Sequence, residues 1–167
     1  MPKKNALREK ARGQDPRAPS PSLDATRQYG NLGYNLRLAY LQVQKVFLER
    51  MAAHDLRPVD YAILAILEDN EYVTQKHLGE ALSISPPNLA VVLDRLEKRD
   101  LVERLRSDVD RRVQVLLLTD AGHRLLDATE TVVHNLEIEA SSSLTGAERS
   151  KLIALLQKVF LPERTTR

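Results

Sequence analysis

The chain of 167 residues contains no cysteine and no tryptophan, and only 4% of its residues are aromatic. The absence of cysteine excludes disulfide bonds, thiol catalysis and thiol-based sensing of oxidants. With few aromatic side chains, the core must be built mainly from Leu, Val, Ile and Ala. No apolar run approaches the ~18 residues that span a bilayer, and no apolar segment follows the charged N-terminus as a secretory signal requires. These absences predict a cytoplasmic protein.

A strong excess of one charge is also missing, since the formal net charge is only +2. Residues 1–25 carry six Lys/Arg against three Asp/Glu, so the rest of the chain sums to −1. DNA binding would therefore depend on the local placement of Arg and Lys. Residues 1–27 are proline-rich and poor in apolar side chains, which predicts a flexible basic tail. The tail is either simply solvated or an arm that contacts DNA phosphates.

Catalytic and metal-binding motifs are lacking as well. The chain has no GxGxxG, no GxxxxGK[ST] and no GxSxG motif. Asp108 and Asp110 lie on a predicted turn flanked by four arginines, which favours pairing with Arg over acid–base catalysis. Without cysteine a structural zinc site is disfavoured. The four histidines share no HxH or HxxxH spacing: His54, His77, His123 and His134. The sequence therefore predicts neither an enzyme nor a bound cofactor or metal.

Residues 28–55 contain a predicted helix that is apolar on more than one face. One apolar set recurs at intervals of three and four from Leu32 to Met51. A second set widens the stripe: Tyr34, Leu38, Leu41 and Leu48. A helix of this kind needs two partners, such as its own core and another subunit. Pro58 then suits the first turn of a second helix, which is predicted to end near Glu68.

The next stretch, residues 74–100, predicts two short helices joined by a tight turn. Thr74 is a suitable N-cap for the first, whose inward residues are predicted to be Leu78, Ala81 and Leu82. Ser85 is placed as the N-cap of the second helix, with Pro86 at its first position and an end near Arg99. Asp100 follows where Gly is the usual residue, which predicts a weaker C-cap.

Alternating side chains then predict two strands, residues 101–106 and 112–118, around a turn. Thr119 and Asp120 cap a long helix, and Thr145 with Glu148 forms a capping box for the last one. The last helix is predicted to turn these residues inward: Leu152, Leu155, Leu156, Val159 and Phe160.

The terminal helices are too few and too narrow to form a core alone. We therefore predict that residues 28–55 and 120–161 form a helical dimerisation region that interlocks with a second copy. Residues 56–119 form a winged helix-turn-helix DNA-binding domain in this scheme. The fold class is mainly α with a small β-hairpin wing.

The second short helix is the predicted recognition helix, because the DNA major groove admits one helix. Asn88 can bond adenine, Val91 can meet a thymine methyl group, and Arg95 can take guanine or a phosphate. The predicted DNA-binding residues ahead of the hairpin are Lys76, Ser85, Pro86, Pro87, Asn88, Val91 and Arg95. The hairpin tip, from Arg104 through Arg112, is placed to bring cations near an adjacent minor groove or its phosphates. For each residue alone, an ordinary solvated face is the alternative.

Four segments together resemble the MarR family (multiple antibiotic resistance regulators) over about residues 28–161. They are LGYNLRLAY at 32–40, LRPVDYAILAIL at 56–67, LGEALSISPPNLAVVLDRLEKRDLVER at 78–104 and SDVDRRVQVLLLTDAG at 107–122. The last is the most specific, since it resembles the wing signature of the family. The chain departs from the family at Pro86-Pro87, where small polar residues are frequent, and at Asp100, where Gly is usual.

The resemblance implies an obligate homodimer that binds a palindromic operator in double-stranded DNA. Such proteins are usually repressors that a small ligand releases from DNA. The family's wing signature places its Asp at Asp110 and its Arg at Arg112, where the Asp orients the Arg toward DNA. Arg111 is a second candidate for the same contact.

The resemblance also implies an effector site where the dimerisation helices meet the DNA-binding lobe, commonly for phenolic or aromatic acids. Arg37 falls at a position suited to pair with an aromatic carboxylate. Tyr34, Tyr40 and Tyr61 would supply aromatic walls, and His54 a polar group. Alternatively, Arg37 pairs with an acidic residue across the dimer, and the tyrosines belong to the core.

Two other functions stay open at this point. One is a metal-responsive regulator of the same fold, with scattered histidines and carboxylates brought together by folding. The other is a winged-helix module that binds a protein, which would expose acidic or apolar side chains on the recognition helix.

Overall fold

The computed structural model describes residues 24–106 and 113–161. Their contacts divide the chain into two units, with the boundary after Arg37. The helices and strands are α1 (Leu32–Arg50), α2 (Pro58–Asp69), β1 (Val73–Thr74), α3 (Gln75–Leu82), α4 (Pro86–Lys98), β2 (Val102–Arg106), β3 (Gln114–Leu118), α5 (Asp120–Ala140) and α6 (Gly146–Phe160). The predicted fold class, mainly helical with a small antiparallel sheet, is confirmed.

The described part of the first unit begins with a short 3-10 helix, Thr26–Gly30, ahead of α1. The Asn35 amide donates to the carbonyl oxygens of Tyr29 and Asn31 at 2.9 and 2.8 Å. The rings of Tyr29 and Tyr34 lie 5.9 Å apart. These contacts hold the start of α1 against the preceding turn.

The core of the second unit is aliphatic, as the composition predicts. The second half of α1 and the helices α2 to α5 contribute to it apolar residues that were expected from their three- and four-residue periodicity. The fully buried apolar side chains include Met51, Ile63, Leu64, Leu78, Leu89, Leu93, Leu96, Leu116 and Leu136. Two polar side chains are buried among them, Asp60 and Thr129. Thr129 is satisfied within α5, because its hydroxyl donates to the Leu125 carbonyl oxygen at 2.8 Å.

The sheet has three antiparallel strands in the order β1-β3-β2. The sequence predicts only the hairpin of β2 and β3. The third strand was missed because β1 is two residues long, too short for any alternation of side chains to show. Val73 pairs with Leu116 and Thr74 with Val115, so β1 ties the start of α3 to the hairpin.

The predicted N-caps are confirmed where a short-range hydrogen bond defines them. The hydroxyl oxygen of Thr74 accepts from the His77 N–H, and that of Thr119 accepts from the Gly122 N–H. Gly122 also has a packing reason, because a β-carbon there would lie 2.2 Å from the Leu101 carbonyl oxygen. That close approach packs α5 against the end of α4 and the start of β2.

The last helix begins with the predicted capping box. The hydroxyl oxygen of Thr145 accepts from the Glu148 N–H, and the Thr145 N–H donates to the Glu148 carboxylate at 2.8 Å. That backbone hydrogen bond, with a second from the Thr145 hydroxyl, holds the pKa of Glu148 below its usual range.

The predicted weak C-cap of α4 is wrong. Asp100 adopts the left-handed conformation at φ 56° that Gly usually occupies. Its N–H donates to the Glu97 carbonyl oxygen at 2.9 Å, and the Leu101 N–H donates to the Leu96 carbonyl oxygen at 3.0 Å. These two bonds form a complete Schellman motif, with Leu101 and Leu96 both buried. Asp tolerates the left-handed region better than most residues, so the helix ends well without Gly.

Two predictions of inward-facing residues are also wrong for the single chain. Ala81 of α3 is exposed. The apolar face of α6 is largely exposed as well, whereas it was expected to face inward. Its exposed members are Leu152, Ile153, Leu155, Val159 and Phe160. Within the described residues, no helix is long and apolar enough to cross a membrane.

Candidate nucleic-acid interface

The turn between α3 and α4 is closed by backbone contacts. Ser83 caps α3 in the left-handed conformation, and the Ile84 N–H donates to the Gly79 carbonyl oxygen at 3.0 Å. The Gln75 side chain donates to the Pro86 carbonyl oxygen at 3.2 Å, which joins the first turns of the two helices. Together these bonds fix the angle at which α4 leaves α3, the requirement for a helix-turn-helix reader.

The helix α4 exposes the face that was predicted to read DNA. Leu89, Leu93 and Leu96 are buried on one side. The N-terminal residues of the opposite side are all exposed: Ser85, Pro86, Pro87 and Asn88. Val91 follows one turn later and is 70% exposed, although it is apolar. Asn88 and Val91 therefore both lie on the exposed face of α4.

Arg95, predicted to contact a base or a phosphate, is half-buried and paired within the chain. Its guanidinium donates a charge-assisted hydrogen bond to the Asp60 carboxylate, which is fully buried. The other Asp60 oxygen accepts from the Arg57 N–H at 2.9 Å, at the start of α2. One buried carboxylate thus connects α2 with the last turn of α4.

Asp60 was not among the predicted site residues, although the sequence carried a signal for it. It lies three, four and seven positions before Ile63, Leu64 and Leu67, all of which are buried. A carboxylate in register with a buried apolar face requires a partner, because an unpaired buried charge is strongly unfavourable.

Arg99 makes a second connection from α4. It donates to the carbonyl oxygens of His54 and Asp55 at 2.9 and 2.6 Å. These carbonyls belong to the turn that follows α1, where Asp55 has a left-handed conformation. The C-terminal end of α4 is therefore attached to the end of α1.

Arg104 on β2, also predicted to contact DNA, is paired with two carboxylates of α4. Its guanidinium donates to Asp94 at 2.6 Å and to Glu97 at 2.7 Å. Lys76, on α3, is exposed and lies 3.8 Å from Glu80. The wing residues Asp110, Arg111 and Arg112 lie outside the described residues.

The residues predicted for an effector site fall in both units. Tyr34 and Arg37 lie on α1 within the first unit, where Tyr34 is half-buried and Arg37 exposed. In the second unit Tyr40 is exposed on α1, and His54 is half-buried beside α4. Tyr61, on α2, is half-buried.

The tyrosine on α2 packs edge-on against Phe47, with ring centroids 6.3 Å apart. Burial, and secondarily the nearby Glu130, raises the pKa of the Tyr61 hydroxyl. A cleft beside it is lined by Tyr61, Ala65, Glu68, Asp69, Leu126, Asp127 and Glu130. Its four carboxylates give this cleft a charge that repels an aromatic acid.

The metal-sensing alternative gains no support from the arrangement of ligands. Across residues 24–106 and 113–161, no three histidine or acidic side chains lie close enough to hold a metal ion. His123 is instead paired with Glu68, with 2.6 Å between its Nδ1 and the carboxylate.

The helices α3 and α4 form a helix-turn-helix, and the hairpin of β2 and β3 that follows them pairs with β1. This arrangement defines a winged helix-turn-helix protein. The comparisons with known proteins agree with this class. A profile of the MarR family matches residues 54–113. The solved structure of the transcriptional repressor CouR, bound to a 23-mer DNA duplex, superposes with a TM-score of 0.78 at 32% identity. That match covers 83% of this chain and 99% of the repressor.

Two relatives are similar to this chain over most of their length. The transcriptional repressor NicR of Pseudomonas putida is 29% identical over 82% of this chain and 85% of the relative. A putative transcriptional regulatory protein for the hcr operon of Thauera aromatica is 28% identical over 82% of this chain and 83% of the relative. The chain belongs to the MarR family. These relatives are transcriptional regulators rather than enzymes.

Proposed function

We propose that this protein is a homodimeric repressor that binds a palindromic operator through α4 and is released by a small aromatic or phenolic acid. The exposed Asn88 and Val91 on a firmly held α4 carry the proposal. An asparagine amide can bond adenine in two places, and an apolar side chain can contact a thymine methyl group. Ser85, Pro86 and Pro87 place the N-terminal end of the helix toward the bases.

The connections of α4 support its role as a reader. Direct readout requires a helix whose position does not shift when it meets DNA. Asp60 holds the last turn of α4 through Arg95, and Arg99, the residue that follows the helix, is bonded to the turn after α1. The turn from α3 holds the N-terminal end, so both ends of the helix are fixed.

The exposed apolar face of α6 supports the dimer. A row of large apolar side chains, with Phe160 70% exposed, is unusual on a protein that works alone. Leu41 and Leu48 of α1 are exposed as well. We propose that residues 28–55 and 120–161 bury these faces against a second copy, and that residues 56–119 form the DNA-binding domain.

The effector part of the proposal rests on the family resemblance and on the charge pattern. Arg37 is an exposed cation on α1, suited to a carboxylate, whereas the cleft beside Tyr61 is lined by acidic residues. We infer that the carboxylate of an aromatic acid pairs with Arg37, and that Tyr34, three residues earlier on the same helix, contacts its ring.

A second candidate function is a winged-helix module that binds a protein. It is favoured by the mixture of apolar and acidic side chains on α4, where Pro86, Pro87 and Val91 are exposed together with Asp94 and Glu97. DNA selection separates the two candidates, because a protein-binding module has no reason to enrich one DNA sequence.

The test is selection of duplexes from a random pool by the purified full chain. We expect an enriched inverted repeat whose half-sites are about one helical turn apart, as a two-fold dimer requires. Failure to enrich any sequence would refute the DNA-reading part of the proposal.

The dimer has a separate test on α6. We expect Val159→Glu to lower the molar mass measured by light scattering to that of one chain, because the charge would be buried in the interface. Gln157→Glu is the matched control on the same helix and should stay dimeric. Equal masses for wild type and Val159→Glu would contradict an interface on this face.

A further inference from the structure

The recognition helix carries two exposed carboxylates where a DNA-binding surface is expected. Asp94 lies one turn beyond Val91 on the exposed side of α4, and Glu97 follows one turn later. Carboxylates only accept hydrogen bonds and are repelled by phosphates, and their usual partner among the bases is cytosine N4. Left unpaired, they would oppose the approach of α4 to any DNA.

Arg104 forms ion pairs with both Asp94 and Glu97. One terminal nitrogen lies 2.7 Å from a Glu97 oxygen, and the other lies 2.6 Å from an Asp94 oxygen. The Arg104 side chain is only 22% exposed, against 56% for Asp94 and 42% for Glu97. A guanidinium suits this arrangement, because its planar fork can bond two oxygens in fixed directions.

The pairing engages both terminal nitrogens of the guanidinium, and most of the side chain is covered, which limits its access to DNA. Arg104 also joins β2 of the wing to α4, so the two elements keep a fixed separation. The cluster of Asp94, Glu97 and Arg104 sums to one negative charge, against two without the arginine.

We propose that Arg104 is a positioning residue that masks Asp94 and Glu97 on the recognition helix and acts on DNA affinity without contacting DNA. This inference rests on the proposed function, in which α4 enters the major groove. Removing the arginine exposes two carboxylates to the phosphates. Removing all three charges together restores a surface that DNA tolerates.

The experiment uses the full chain and the duplex that the wild-type protein recovers from a random pool, with a shuffled duplex beside it. Fluorescence anisotropy at several salt concentrations gives the affinity and its salt slope. The variants are Arg104→Gln and the triple variant Asp94→Asn/Glu97→Gln/Arg104→Gln. Glu71→Gln is the control, since it changes one exposed charge outside α4, the wing strands and the proposed dimerisation region.

We expect Arg104→Gln to bind roughly three- to tenfold more weakly, because uncompensated charges near DNA are only partly screened by salt. The triple variant should return to within about twofold of wild type with an unchanged salt slope, since no phosphate contact is lost. Glu71→Gln should bind like wild type. Circular dichroism and thermal unfolding of each variant check that the fold is kept.

A triple variant as weak as Arg104→Gln, with a salt slope reduced by about 1, would show a direct phosphate contact and overturn the inference. A triple variant that fails to fold while Arg104→Gln folds would overturn it as well, since the carboxylates would then be needed for more than pairing. If the wild-type protein enriches no duplex, the proposed function itself fails and this inference falls with it.

Discussion

Replacing Asp60 with Ala should strongly lower the free energy of unfolding, because it breaks a buried ion pair. The substitution leaves the Arg95 guanidinium, whose side chain is 26% exposed, without its buried partner. Breaking a buried pair from one side costs about 3–5 kcal/mol, and losing the hydrogen bond to the Arg57 N–H costs about 1 kcal/mol more. Because Arg95 retains some access to water, we expect a total of about 3–5 kcal/mol.

Chemical denaturation followed by circular dichroism measures this loss, at one fixed protein concentration because dimerisation links stability to concentration. In a separate thermal unfolding experiment, the melting temperature should fall by roughly 6–20 °C for a chain of this length. Asp69→Ala is the control, since Asp69 is an exposed carboxylate at the end of the same helix. It should change stability by less than about 0.5 kcal/mol.

A double variant separates the pair from other effects of the substitution. Asp60→Asn/Arg95→Leu keeps an acceptor for the start of α2 and removes both charges. Replacing a buried ion pair with uncharged groups is often close to neutral, so this variant should recover most of the stability. If Asp60→Ala cost less than about 1 kcal/mol, or the double variant were as unstable as the single one, the pair would not be what holds α4 to α2.

Three further outcomes follow from the same structure. Asn88→Ala should weaken binding to the selected duplex by roughly 1–3 kcal/mol and leave a shuffled duplex little affected; equal losses on both would exclude base readout there. Arg37→Ala should keep DNA affinity but abolish release by an aromatic acid in the same assay, and retained release would remove Arg37 from the effector site. Glu148→Gln should flatten the pH dependence of stability in acid. The Thr145 N–H holds the pKa of Glu148 below 4.5, so its contribution is present above that pH and is lost as the pH falls through the lowered value. Denaturation midpoints at several pH values compare the two proteins, and identical curves would contradict the role of the capping box.

The helix ends show how much the sequence determines by itself. Thr74, Thr119 and Thr145 each accept a hydrogen bond from a backbone N–H three residues later. An interaction that spans three residues forms within one turn, so the residue types alone predict it. The aliphatic core follows for a similar reason, since the periodicity of apolar residues is fixed locally.

The end of α4 shows where a correct local rule gives a wrong answer. Gly is the usual residue in the left-handed conformation, so Asp100 predicted a weak cap. The burial of Leu101 against the core, together with two backbone hydrogen bonds, stabilises that conformation with Asp in place. Tertiary packing therefore outweighed a conformational preference of about 1–2 kcal/mol.

The arginines mark the limit of what the sequence determined. It placed Arg95 on the recognition helix and Arg104 on the wing strand, and basic residues there are typical of DNA contacts. Only the tertiary structure assigned them to carboxylates, because Asp60 lies 35 residues before Arg95 and meets it only when α2 and α4 pack together. A guanidinium pairs with the carboxylate that folding brings nearest. The number of residues between the two in the sequence does not give their distance in the folded protein.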